Sequence, residues 1–136
     1  MAATVLVDTS FLVALYSRLD PNHAWASGLL TRWPPPWQTC DAALSETFHM
    51  VGSSGMSLLA AFIRDRGLTS AGVSDFGADE VLALMEKYAD VPMSFADACL
   101  VRMTEISPNP TLLTTDTDFR IYRRHGRQAV PCVMPA

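Results

Sequence analysis

The chain has 136 residues, enough for one domain around one core, and its 49% hydrophobic content excludes a disordered chain. No apolar run approaches the ~20 residues that span a bilayer, and the first residues lack the basic start and apolar stretch of a secretory leader, so we expect a cytoplasmic protein. The net charge of -4 argues against a nucleic-acid partner unless the acids are concentrated in one place.

Residues 3–7, Ala-Thr-Val-Leu-Val, read as a buried strand that stops at Asp8. Thr9 and Ser10 can cap a helix from Phe11 to about Tyr16, and Asn22 a second helix through Trp25, Leu29 and Leu30. Pro34, Pro35 and Pro36 force an extended connection, with a brief strand from Trp37 to Thr39. Asp41 is a candidate N-cap for a helix over 42–51, bounded by Gly52 and Gly55; another helix covers 56–65. Residues 68–76 suit a loop or edge strand. Val81, Leu82, Leu84, Met85 and Tyr88 have helical spacing within 78–89, and Pro92 ends that unit.

Ser94 to Asp97 is a capping-box pattern before an apolar helix over 98–106. Residues 111–115 form the second clear buried strand, ending at Asp116. The spacing predicts a short basic helix from Phe119 to about His125, stopped by Gly126. Residues 129–134 make a last strand, weakened by Pro131. We expect a single domain over 1–136, with no repeat. Alternating strands and helices imply an α/β sandwich in layers, a mainly parallel sheet flanked by helices. Such sheets bind ligands beyond the carboxyl ends of their strands, which places Asp8 and Asp116 side by side.

Cys40, Cys99 and Cys132 are odd in number and match neither a disulfide framework nor a zinc pattern, so buried free thiols are expected. Trp25, Trp33 and Trp37 read as core or interface aromatics. Glu46 and His49 have the spacing of a Glu-x-x-His metal motif, but a second copy is absent; His23 and His125 read as packing or surface residues.

Four segments remain: Val7-Asp8-Thr9-Ser10, Leu44-Ser45-Glu46, Ser94-Phe95-Ala96-Asp97-Ala98 and Leu113 to Phe119 with Asp116 and Asp118. Their order and context resemble the PIN domain, especially VapC-type toxins of bacterial toxin–antitoxin pairs. Asn22-His23 and the run Phe119 to Arg124 also look like secondary signatures of that family. Ala96 departs from it, standing where many relatives carry Thr.

The resemblance implies a PIN-like three-layer sandwich and an endoribonuclease that uses magnesium or manganese. Asp8, Glu46, Asp97 and Asp116 would form its site, with Asp118 a fifth acid at the metal. Thr9 and Thr115 would be hydroxyls that orient carboxylates. It further implies RNA as substrate, a small antitoxin as partner, and a homodimer. The chemistry agrees: phosphodiester hydrolysis needs an activated water and a sink for negative charge, and a divalent cation serves both needs. Magnesium takes hard oxygen donors, so carboxylates suffice. Each acid also has a plainer role: Asp8 as helix cap, Glu46 on a solvated face, Asp97 in its capping box, Asp116 and Asp118 in a turn.

With five of the 14 acids at the metal, nine remain against ten bases. Arg120, Arg123, Arg124 and Arg127 follow the last acids closely and would grip RNA phosphates, the first three sharing one face if the segment is helical. Three other readings compete. A receiver domain needs an acidic pair after the first strand and a late-strand lysine, but Asp8 is followed by Thr9-Ser10 and Lys87 falls in a helix. Haloacid-dehalogenase-type phosphatases lack their second aspartate here. A non-catalytic PIN-like module that binds RNA or a partner would be expected to lack acids that this chain retains.

Overall fold

A computed structural model describes residues 2–136. Its centre is a parallel sheet of β1 (Thr4–Val7), β2 (Trp37–Cys40), β3 (Leu68–Ala71), β4 (Pro110–Leu113) and β7 (Cys132–Val133), in the order β3-β2-β1-β4-β7. All four strand pairings are parallel. Parallel strands need crossovers. These are supplied by α1 (Thr9–Tyr16), α2 (His23–Gly28), α3 (Asp41–Met50), α4 (Gly52–Arg64), α5 (Ala78–Lys87) and α6 (Phe95–Ile106).

Strand alternation divides the core into two layers. Val5 and Val7 of β1 and Leu113 of β4 face Phe11, Leu12, Trp37 and Leu59, below α1, α2 and α4. Leu6 and Leu112 face Val81, Leu100 and Val101, below α5 and α6. Strands buried on both faces read as continuous apolar runs, as β1 and β4 do. Trp37 is fully buried, with Phe11 and Phe62 edge-on to it at 5.2 and 5.4 Å; Trp25 and Trp33 pack on the same cluster. The tryptophans are therefore core residues.

The chain order places a switch point between β1 and β4. From β1 the chain steps outward to β2 and β3, then returns to the other side of β1. The register Val7↔Leu113, with the Asp8 amide donating to the Leu113 carbonyl at 3.1 Å, sets the two strand ends level.

Several local expectations are corrected. Cys40, not Asp41, is the N-cap of α3, its sulfur accepting from the Ala43 amide at 3.4 Å. Residues 68–76, by contrast, follow the edge-strand alternative: β3 is a paired edge strand, followed by a 3-10 turn, Val73–Asp75. The final segment is two short strands, β6 (Gln128–Ala129) and β7, separated at Val130-Pro131.

The largest correction concerns the basic helix expected at 119–125. The chain forms a 3-10 turn, Thr117–Arg120, and then β5 (Arg123–Arg124), antiparallel to β6. Two causes are visible. Phe119 and Tyr122 are both fully buried, three residues apart, which suits a tight turn. Beyond them, the Arg123 amide donates to Tyr88 Oη at 2.9 Å and the Arg124 guanidinium to the Thr104 carbonyl at 2.5 Å, holding the backbone extended. His125 and Gly126, both at positive φ, close the hairpin. No helical arginine face exists.

Candidate active site

The five acids singled out in the sequence all line one cleft of about 320 Å³, together with Thr9, Ser10, Met50, Pro92 and Ser94. Asp8 ends β1, Asp116 and Asp118 follow β4, Glu46 comes from α3 and Asp97 from the first turn of α6. The plainer roles coexist with this convergence. Asp8 caps α1, its Oδ1 accepting from the Thr9 amide at 2.8 Å. Asp97 closes its capping box: its amide donates to Ser94 Oγ at 3.0 Å, and the return bond from the Ser94 amide is long at 3.5 Å. Asp116 Oδ1 accepts from the Asp118 amide at 2.9 Å, which shapes the turn carrying both acids.

The side chains that hold the acids differ in part from those expected. Asp8 Oδ2 accepts from Ser10 Oγ at 2.7 Å and from Thr114 Oγ1 at 2.8 Å. Both hydroxyls are themselves fixed: Ser10 accepts from the Thr115 amide and Thr114 from the Asp116 amide, each at 3.0 Å. Thr9 touches Asp8 only through its backbone; its hydroxyl donates to the Ala43 carbonyl at 2.8 Å. Thr115 likewise contributes its amide. The orienting hydroxyls are therefore Ser10 and Thr114, in place of Thr9 and Thr115. The signal was the parallel register, which sets Thr114 opposite Asp8. Tyr122 was also missed: its buried hydroxyl donates to Asp97 Oδ2 at 3.0 Å.

Burial and like charge act together here. Asp8 is 6% exposed, and burial pushes its carboxyl upward; Ser10 and Thr114 oppose the shift, and the Asp116 charge adds to it. Asp97 is raised to about 6, first by burial, with Tyr122 pulling down and Asp8 and Asp116 pushing up. Tyr122 is held protonated by burial and by Asp97. No lysine or arginine lines the cleft, and the one ion pair among the described residues, Arg102 with Glu105 at 3.3 Å, lies elsewhere.

An uncompensated set of hard oxygen donors is what magnesium or manganese takes. Among the described residues no three His, Cys, Asp or Glu side chains stand in an arrangement that could hold a metal ion as they are. The acids instead ring an open cleft, which suits an ion that keeps several of its waters. His49 is absent from the cleft lining, His23 Nδ1 bonds the Ala14 carbonyl at 2.8 Å, and His125 is in the hairpin turn, so the histidines take no part.

The sequence profile of the PIN domain matches residues 5–124. The chain belongs to the PIN-domain family. Its fold is similar to that of VapC20 from Mycobacterium tuberculosis, described as a sarcin–ricin-loop-cleaving toxin, with a TM-score of 0.66. The match covers 85% of this chain and 92% of that one at 24% identity. No match was found among curated proteins. Within this PIN domain, the matched span takes in all five acids and the turn after β4.

Proposed function

We propose that this PIN domain is a magnesium- or manganese-dependent endoribonuclease that hydrolyses RNA phosphodiester bonds, acting as the toxin of a toxin–antitoxin pair. The observation that carries this reading is the convergence of five acids from four separate segments on one cleft that contains no basic side chain. PIN-domain proteins are as a family nucleases, which agrees with that site.

Asp8, Asp97, Asp116 and Glu46 would hold the metal, with Asp118 beside them. When bound, the ion supplies Lewis acidity at the phosphate and neutralises charge in the cleft. Ser10 and Thr114 fix the Asp8 carboxylate from one side, and Tyr122 fixes that of Asp97 from the other. Such support around ligating carboxylates is worth ~10–100-fold in metal affinity or activity. The test is cleavage of single-stranded RNA by purified protein with magnesium or manganese and with EDTA. Cleavage only with metal is expected; full activity in EDTA would overturn the reading.

The antitoxin assignment rests on an apolar surface. A cleft of about 420 Å³ between α1, α2 and α4 is lined by Leu15, Leu30, Leu58 and Phe62. It shares Tyr16, Arg18 and Leu58 with a second cleft that reaches Leu19 and Met50, and Met50 also lines the acidic cleft. Leu19 is 96% exposed and Leu58 59%. An apolar antitoxin segment laid along this track would end at the acids. The exposed apolar side chains also support a homodimer, to be checked by light scattering at micromolar concentration. No helix among the described residues is long and apolar enough to cross a membrane. Free cysteines at positions 40, 99 and 132 suit a reducing cytoplasm.

A further inference from the structure

The four arginines expected to grip RNA do not form one group. Arg124 is tied to the Thr104 carbonyl and to Gln128 Oε1 at 3.3 Å, and Arg127 is at the exposed hairpin tip. That tip rests on the far ends of α5 and α6: Lys87 Nζ donates to the Gly126 carbonyl at 3.3 Å, and the His125 amide to Glu105 Oε2 at 2.7 Å. Glu105 is eight residues along α6 from Asp97, roughly 12 Å from the catalytic edge at the helical rise. Arg124 and the hairpin tip that carries Arg127 are therefore held at the end of α6 remote from Asp97.

Arg120 and Arg123 are placed differently. Both line an open cavity of about 440 Å³, walled by Val130, Cys132, Met134 and Pro135. The cavity runs along β7 and past its carboxyl end, and that end of the parallel sheet is the one that carries Asp8 and Asp116. Arg120 is two residues beyond Asp118 in the same 3-10 turn. Arg123 Nη1 donates to the Arg120 and Tyr122 carbonyls at 2.7 and 3.0 Å, bonds that position the guanidinium without cancelling its charge. Among the described residues neither arginine has an ion-pair partner.

Resting on the ribonuclease reading above, we infer that this cavity is the subsite for a nucleotide next to the cleaved bond, Arg120 and Arg123 holding its phosphate. Three observations converge on it. The acidic cleft has no cation of its own, so a polyanion needs one beside it. Guanidinium forks match phosphate oxygens in a bidentate way. The walls are apolar at Val130, Met134 and Pro135, a surface for a ribose or base face.

The experiment is fluorescence anisotropy of a labelled single-stranded RNA oligonucleotide over a salt series, in magnesium, with Asp97→Asn protein to keep the RNA intact. In that background Arg120→Glu should weaken binding about tenfold or more, and Arg120→Ala with Arg123→Ala should flatten the log–log salt slope by roughly 0.7, the value for one lost phosphate contact. Arg127→Ala should change neither. Because Arg123→Ala also removes two bonds to carbonyls, the exposed Arg120→Glu decides alone if the double variant does not fold. With native acids, Arg120→Glu should lower kcat/KM, with the larger part of the change in KM. Weakening by Arg120→Glu no greater than by Arg127→Ala overturns the subsite. Wild-type protein that binds RNA but never cleaves it overturns the nuclease reading and reduces the subsite to an RNA-phosphate contact at Arg120 and Arg123; absence of any RNA binding overturns both.

Discussion

Tyr122→Phe isolates one bond in the site. The ring packs edge-on against Tyr88 at 5.2 Å and Phe119 at 5.3 Å, and phenylalanine keeps both contacts. What is lost is the hydroxyl that donates to Asp97 Oδ2. A hydrogen bond to a charged group contributes ~1.5–3 kcal/mol. Its loss at the low end, ~1.4 kcal/mol, raises the Asp97 carboxyl by about one pKa unit. From about 6 it would move to about 7. Metal requires the ionised form. The apparent metal affinity should then fall about fivefold at pH 6 and about twofold at pH 7, and scarcely at pH 8, from the ionised fractions. Manganese titration by calorimetry at those three pH values reads this directly. A loss of equal size at every pH would mean instead that the hydroxyl acts through shape and not through the Asp97 proton.

Further outcomes follow from the same contacts. In EDTA the native state binds more protons than the unfolded chain between the ordinary aspartate value of 3.8 and about 6, since Asp97 is raised, and Asp8 is raised too. This stabilisation is complete below 3.8 and is lost as pH rises through 6, so the urea midpoint should be higher at pH 5 than at pH 7.5. Asp8, Asp116, Asp118, Glu46 and Tyr122 surround the group, and saturating manganese should remove or reverse the order. Ser10→Ala with Thr114→Val should lower single-turnover cleavage by ~10–100-fold while preserving the circular dichroism spectrum. Arg124→Ala should destabilise by ~1–3 kcal/mol in urea, leaving the Thr104 carbonyl short of a donor, without changing the RNA salt slope.

The sequence was most legible where burial acts on every residue of a segment. Thr4–Val7 and Pro110–Leu113 are apolar on both faces, and their acidic ends mark the catalytic edge of a parallel sheet. Asp97 was legible through its capping box, a local pattern that survives folding unchanged. The supporting hydroxyls were not. Thr9 and Thr114 are chemically alike, and only the Val7↔Leu113 register decides which one reaches Asp8. The arginine segment misled because its three- and four-residue spacing is helical on paper. Burial of Phe119 and Tyr122, and the tertiary bonds to Tyr88 and Thr104, override that local preference. The division of the arginines between the cavity beside β7 and the contact with Thr104 is a consequence of that hairpin.

If the acids of this cleft carry out RNA hydrolysis, Asp97→Asn must abolish it, because asparagine keeps the size and can still accept from Tyr122, while the carboxylate charge is gone. Single-turnover cleavage of RNA in saturating manganese should fall by at least about 10³-fold, ~4 kcal/mol of barrier, with RNA affinity retained. A rate within tenfold of wild type would contradict the account.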